Sequence, residues 1–321
     1  MSKIAISIGD INGVGIEIAL RAHKDIAQWC EPIYCVHSEI LESALALLGK
    51  EEVFDSVLRS MCFSPPAVGF LENLRIQAGE ISALSGAYSY ESFMQAVRLA
   101  QDSQCDAIVT LPIHKKAWQL GGVPYVGHTE ALGAYFGVHS IMMLGCESMF
   151  VALFSDHIAL KEVSPLVKDS DVRDFLVCFA RSVCLNEPCC VLGLNPHCGD
   201  GGLMGNEDEE ICRAIKEANK ILKKDLFFGA YPPDSAFSPL NRERFRYFVS
   251  MYHDVGLAPL KALYFEESIN VSLNLPILRT SVDHGVAYDK AYKNDASLSL
   301  TSYFNAVKYA LKHQKNKKDF L

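Results

Sequence analysis

The 321-residue chain lacks the run of roughly 18 apolar residues that a membrane-spanning helix needs. Its best candidate, 141–154, is broken by Glu147 and Ser148. It also lacks any C-x-x-C spacing among its 11 cysteines, several of which lie inside apolar strand-like runs, as do Cys35, Cys189 and Cys190. This excludes an ordinary cysteine zinc knuckle and reads as reduced, buried thiols rather than a disulfide frame. No signal-peptide pattern precedes the strand-like segment 3–8, so a cytoplasmic protein is expected, with no membrane partner. Charged residues are scarce at 21% against 50% hydrophobic, which excludes a disordered chain. Net positive charge is absent: the balance is −8, with a pI near 5.7. That argues against nucleic acid as a partner but not against a small anion, because a few local cations can dominate a cleft. The single basic run, 312–318, reads as a solvated helix end whose cations suit the helix dipole.

What is present is alternation. Short apolar runs at 3–8, 32–36, 107–111, 149–154, 189–194, 227–230 and 247–251 read as strands. Helical patterns follow from about Gly15, then at 41–48, 85–104, 129–136 and 298–311. There is no internal repeat and no low-complexity linker. Such a chain is expected to be α/β with a largely parallel sheet. Its length suits two domains, and the Gly121–Gly122–Val123–Pro124 breaker is one crossing point between them.

Three of the strands lead directly into a histidine: VALFSD into His157, VLGLNP into His197, FVSMY into His253. In open α/β sheets ligands bind beyond the carboxyl ends of the strands. Taken singly, each histidine is equally a satisfied loop residue. Taken together, they are a candidate three-imidazole metal site with a position left open for substrate or water. Asp156, Asp200 and Asp254 lie close by in sequence, either as acceptors that orient the imidazoles, as acid/base groups, or as turn and cap residues.

The segment Gly9–Gly15 is a tight strand-to-helix turn with neither dinucleotide-fingerprint nor Walker spacing. The loop Asn195–Gly202 joins glycines to His197 and opens before an acidic helix start at Glu207. Lys261, Asn270 and Arg279 punctuate an apolar stretch. A lysine and an arginine there can hold a phosphate or carboxylate, or be unrelated surface groups. Gly127–Glu130 enters a helix that Thr129 can cap, with His128 beside it.

Seven stretches, SIGDINGVGIEI, LPIHKKA, GHTE, LGLNPHCGDGG, GAYPPDSAF, YHDVGLAPLKAL and NVSLNLPILRTSVDHGVA, run from residue 7 to 287. As a set they resemble the 4-hydroxythreonine-4-phosphate dehydrogenase family of pyridoxal phosphate synthesis. The resemblance implies an isocitrate/isopropylmalate dehydrogenase-like fold, with two α/β/α domains around a central cleft. The expected division is 1–125 plus 280–321 as an outer domain and 126–279 as a central one. It also implies one divalent metal per site (Zn, Mg or Co) on His157, His197 and His253. Substrate contacts would come from His128, Thr129, Lys261, Asn270 and Arg279, and NAD or NADP would lie near His284 and Gly285. Lys261, if the metal depresses its pKa, and otherwise Asp254 or Asp234 are the candidates for proton handling, and the assembly that the resemblance implies is a homodimer with shared active sites. Two stretches depart from the family pattern. The first loop usually reads G-D-P-A-G-I-G-P-E, where this chain has Ile11, Asn12 and Ile16, and the Gly-rich continuation after Asp289 is replaced by KAYKNDAS.

The implied reaction is oxidation of 4-phosphooxy-L-threonine at C3 to 2-amino-3-oxo-4-phosphooxybutanoate, which loses CO₂ to give 3-amino-2-oxopropyl phosphate. Competing readings are a dehydrogenase of threonate or erythronate 4-phosphate, a phosphate acyltransferase, and a non-catalytic metal-binding protein.

Overall fold

Among the described residues eleven strands form in chain order: β1 (Lys3–Ser7), β2 (Glu31–Cys35), β3 (Cys62–Phe63), β4 (Ala107–Thr110), β5 (Ile141–Cys146), β6 (Met149–Leu153), β7 (Cys189–Leu192), β8 (Phe227–Tyr231), β9 (Tyr247–Ser250), β10 (Ile269–Leu273) and β11 (Arg279–Val282). The computed structural model describes residues 1–293 and 297–314. The chain divides into two compact units, 1–138 with 269–271 and 275–321, and 139–268 with 272–274. Residues 126–138 and 275–279 therefore pack with the first unit, and the Gly121–Pro124 breaker lies inside it. Of the 312–318 basic run, 315–318 lie outside the described residues. Lys312 and His313 close the helix Thr301–His313, where a cation meets the last carbonyls.

In the first unit the strand order is β3-β2-β1-β4-β11-β10. β1 pairs in parallel with β2 and β4, and β4 with β11. The order reverses at β1. Helix Gly15–Ile26 carries the chain from β1 to β2, and helix Ala83–Gln101 carries it from β3 past β1 to β4. Right-handed crossovers in opposite directions put those helices on opposite faces. With both faces covered, strands become apolar throughout rather than alternating, and β4 is buried at every position. Phe93 and Trp118 anchor this core, and the Trp118 indole N–H finds the Ser89 hydroxyl at 2.7 Å. Ser82 caps the helix Ala83–Gln101 by accepting from the Ser85 amide at 3.1 Å.

In the second unit the order is β5-β6-β9-β7-β8, with β6∥β9, β9∥β7 and β7∥β8. Helices Asp169–Ser182 and Glu207–Leu222 pack together on one face, and helix His253–Tyr264 packs on β5, β6 and β9. Phe245, Phe248 and Leu192 belong to its core. The interruption at Glu147 and Ser148 is the turn of an antiparallel hairpin between β5 and β6. All 11 cysteines are free thiols. Among the described residues no helix is long and apolar enough to cross a membrane.

Candidate active site

The first unit gathers His128, Asn270 and Arg279 into one buried cluster. Arg279 opens β11 at the level of Ile108 on β4, and its side chain extends to Thr110, two residues further along. The residue is only 2% exposed. Its Nε and Nη2 donate to the Thr110 hydroxyl oxygen at 3.1 and 2.8 Å, Nη1 donates to Asn270 Oδ1 at 3.3 Å, and Nη2 lies 3.0 Å from His128 Nδ1. These acceptors are all neutral. Burial pulls the guanidinium down to about 9, so it remains a cation at neutral pH. His128 is 7% exposed, and its ring meets Phe93 and Trp118 edge-on, with centroids at 4.7 and 5.3 Å. Burial first, and the charge of Arg279 second, hold its imidazole well below 6.5. A buried cation beside a buried neutral imidazole is a strong anion-recognising pair.

His128 is the first residue of helix His128–Phe136, whose N-cap is Gly127. Thr129, expected as the cap, is instead the second helical residue and half-buried. No side chain caps this helix; Glu130 instead folds back on the residue before the cap, accepting from the Val126 amide at 2.6 Å.

The second unit carries the strand-end histidines. β6, β9 and β7 are neighbours in the sheet and parallel, so His157, His253 and His197 follow the same end of three adjacent strands. The rings of His157 and His253 approach to 5.6 Å. His253 Nδ1 meets Asp254 Oδ1 at 2.7 Å, an orienting contact, while Asp156 Oδ1 is 3.8 Å from His157 Nδ1. Asp200 joins the loop through its own amide, which donates to the His197 carbonyl at 3.3 Å. His197, Cys198 and Asp200 all take positive φ, a run of left-handed residues in the turn after β7. Gly199 is needed in this loop: at φ +77 its Cβ would stand 2.5 Å from the Gly205 carbonyl oxygen. Asp208 organises the loop, accepting from the amides of Leu194 and Asn195 and from Asn195 Nδ2 at 2.8 to 3.1 Å. Sequence reading missed it because it is one of four acids in the helix start 207–210. Burial, followed by the charges of Asp208, Cys212 and Asp234, pushes the Cys198 thiol up to about 11.

The donor chemistry fits a divalent metal: imidazoles beyond three adjacent strand ends, one backed by a carboxylate. The structure brings two of the three rings together. Among the described residues no group of three or more His, Cys, Asp or Glu is arranged to hold a metal ion. Lys261 lies half-buried on helix His253–Tyr264, its Nζ 5.3 Å over the Phe265 ring. Asp254 and Asp234 are exposed.

His284 and Gly285 follow β11 in the first unit. His284 Nδ1 meets the Gly285 carbonyl at 3.0 Å, and among the described residues nothing lies within 4 Å of where a Gly285 Cβ would be. The adjoining Val286 carbonyl accepts from the Val14 amide at 3.0 Å, which ties this turn to the glycine loop after β1. Gly9 begins that loop at φ +73, where a Cβ would be 2.3 Å from the Pro112 carbonyl oxygen. Asp10, fully buried, receives the Tyr288 hydroxyl at 2.9 Å.

The profile described as "Pyridoxal phosphate biosynthetic protein PdxA" matches residues 28–310. The chain belongs to the PdxA family. A 4-hydroxythreonine-4-phosphate dehydrogenase of Sulfurimonas denitrificans is 50% identical over 309 residues, 96% of this chain and 97% of that protein. Crystal structures of enzymes of that name from Burkholderia phymatum and Klebsiella pneumoniae superpose with TM-scores of 0.77 and 0.80. Their identities are 30% and 26%, each over 97% of this chain and 98% and 100% of theirs. The fold is thus the α/β fold of those enzymes.

Proposed function

We propose that the chain is a 4-hydroxythreonine-4-phosphate dehydrogenase, oxidising 4-phosphooxy-L-threonine at C3 to a β-keto acid that then loses CO₂. The observation that carries this reading is the buried pair Arg279–His128, with Asn270 beside it, in a chain half-identical to enzymes of that name. Arg279 supplies fixed positive charge for the substrate's phosphate or carboxylate. His128 adds a neutral polar group, and Thr129, Asn270 and Lys261 complete the substrate contacts. Burial keeps water from the Arg279 guanidinium, which strengthens its hold on an anion.

Bound NAD or NADP, beside His284 and Gly285, supplies the acceptor for the hydride leaving C3. A divalent metal held by His157, His197 and His253 supplies a Lewis acid that lowers the hydroxyl pKa. Asp254 orients His253. The hydroxyl proton leaves to Lys261, Asp254 or Asp234. The assembly would be a homodimer whose sites are shared, in the cytoplasm, as the family resemblance implies.

The test is a substrate panel. Purified protein with Zn, Mg or Co salts and NAD or NADP should generate reduced nicotinamide on 4-phosphooxy-L-threonine. Turnover confined to threonate or erythronate 4-phosphate would replace the proposed substrate.

A further inference from the structure

Thr110 is the last residue of β4 and wholly buried. Its hydroxyl oxygen takes two donors from one guanidinium, Nε and Nη2 of Arg279. Two bonds to one oxygen fix the plane of the guanidinium, and that plane carries the remaining Nη2 proton to His128 Nδ1 at 3.0 Å. An arginine can only donate, so Nδ1 must accept. The ring proton of His128 therefore sits on Nε2. That atom is buried and has no hydrogen-bond partner among the described residues. A buried N–H without an acceptor is costly and is expected to be met by a ligand.

We propose that Thr110 is the positioning residue of this cluster: it sets the Arg279 guanidinium and, through it, locks His128 as a neutral Nε2–H donor aimed at an acceptor oxygen of the anionic substrate. This rests on the reading that Arg279 and His128 meet that substrate. Thr110 does not touch the reacting atoms. Its own backbone is held by the Ser281 hydroxyl, which donates to the Thr110 carbonyl at 3.1 Å. The edge-on packing of Phe93 and Trp118 braces the imidazole.

Thr110→Val keeps the shape and removes the oxygen, leaving two guanidinium donors without their acceptor. The substrate KM should rise roughly tenfold or more, since a hydrogen bond to a charged group is lost. The kcat should stay within about threefold, the signature of lost binding rather than lost chemistry. The KM for NAD or NADP should be unchanged. Thr110→Ser restores the oxygen and should recover most of the loss. An unchanged KM in the valine variant, or a serine variant as impaired as valine, overturns the assignment.

A second measurement does not depend on the valine variant folding. In the ¹⁵N-labelled wild-type protein, the histidine signal missing from His128→Gln should show the Nε2–H tautomer. An Nδ1–H or doubly protonated ring overturns the lock. Inorganic phosphate should perturb that signal in the wild type. These readouts need no turnover, so a wild type that fails to oxidise 4-phosphooxy-L-threonine would sink the proposed substrate and leave the tautomer result to stand by itself.

Discussion

The arginine cluster of the first unit and the histidine loops of the second use opposite strategies. Arg279 and His128 are buried, grow from a strand and a helix start, and are held by hydrogen bonds or aromatic edges before any ligand arrives. His157, His197 and His253 follow their strands, with His197 in a turn of left-handed residues and the side chains of His157 and His253 substantially exposed. Burying a guanidinium is a cost that the fold itself must bear, as its lowered pKa shows. Exposed imidazoles carry almost no such cost. Substitutions in the first region should therefore move stability and binding together, whereas those in the second should move function alone.

The largest effect should come from the histidines. His157→Ala, His197→Ala or His253→Ala should each lower turnover by about a thousandfold or more, since a bound Lewis acid contributes several kcal/mol to a developing oxyanion. Metal content measured on the purified variants should fall with it. The thermal midpoint without added metal should barely move, because surface side chains rarely contribute more than about 0.5 kcal/mol. Full metal occupancy in all three variants would break this side of the comparison.

Arg279→Ala comes next. Substrate binding should weaken by about 2 kcal/mol or more. Here stability should suffer as well, by about 1–3 kcal/mol, because the acceptors on Thr110, Asn270 and His128 lose their donor in a buried place. Urea unfolding and substrate titration on the same preparation measure both. A variant that binds poorly but unfolds like the wild type would show that the cluster is less constrained by the fold than its hydrogen bonds imply.

Sequence patterns exposed one of these regions better than the other, for a physical reason. A histidine following an apolar strand announces its own position, so His157, His197 and His253 were visible before the strand order was known. The arginine cluster depends on register: only the pairing of β11 with β4 puts Arg279 alongside Ile108 and in reach of Thr110. Thr110 carries no signal in sequence, being one more β-branched residue at the end of an apolar strand. β10 and β11 were likewise hidden inside an apolar stretch in which Asn270 and Arg279 looked like interruptions. The run 141–154 reads as an apolar stretch broken at Glu147 and Ser148, with a strand only from 149, because a two-residue hairpin turn looks the same as a break and hides β5. Thr129 looked like a helix cap because the residue type suits that role. The actual cap, Gly127, has no side chain to announce it.

The smallest expected effect is electrostatic and separates the two regions most finely. His128 is held neutral by burial, with a folded-state pKa well below 6.5, whereas in the unfolded chain it titrates near 6.5. Below that value the unfolded state takes up a proton that the folded state refuses. The contribution of neutral His128 is therefore complete above about pH 6.5 and is lost as pH falls from there toward the folded-state value, by at most roughly 1.4 kcal/mol per pH unit. His23 and His37, also lowered by burial, act in the same direction. Asp10, raised by burial, acts in the opposite direction at lower pH. All three remain in a His128→Gln variant, so the difference between the two proteins isolates His128. Urea midpoints measured at pH 7.5 and 5.5 should fall further for the wild type than for His128→Gln, by an amount on the order of 1 kcal/mol in unfolding free energy. Equal falls would mean that His128 can accept its proton without leaving the cluster, and the first region would then be no more rigid toward charge than the exposed histidines of the second.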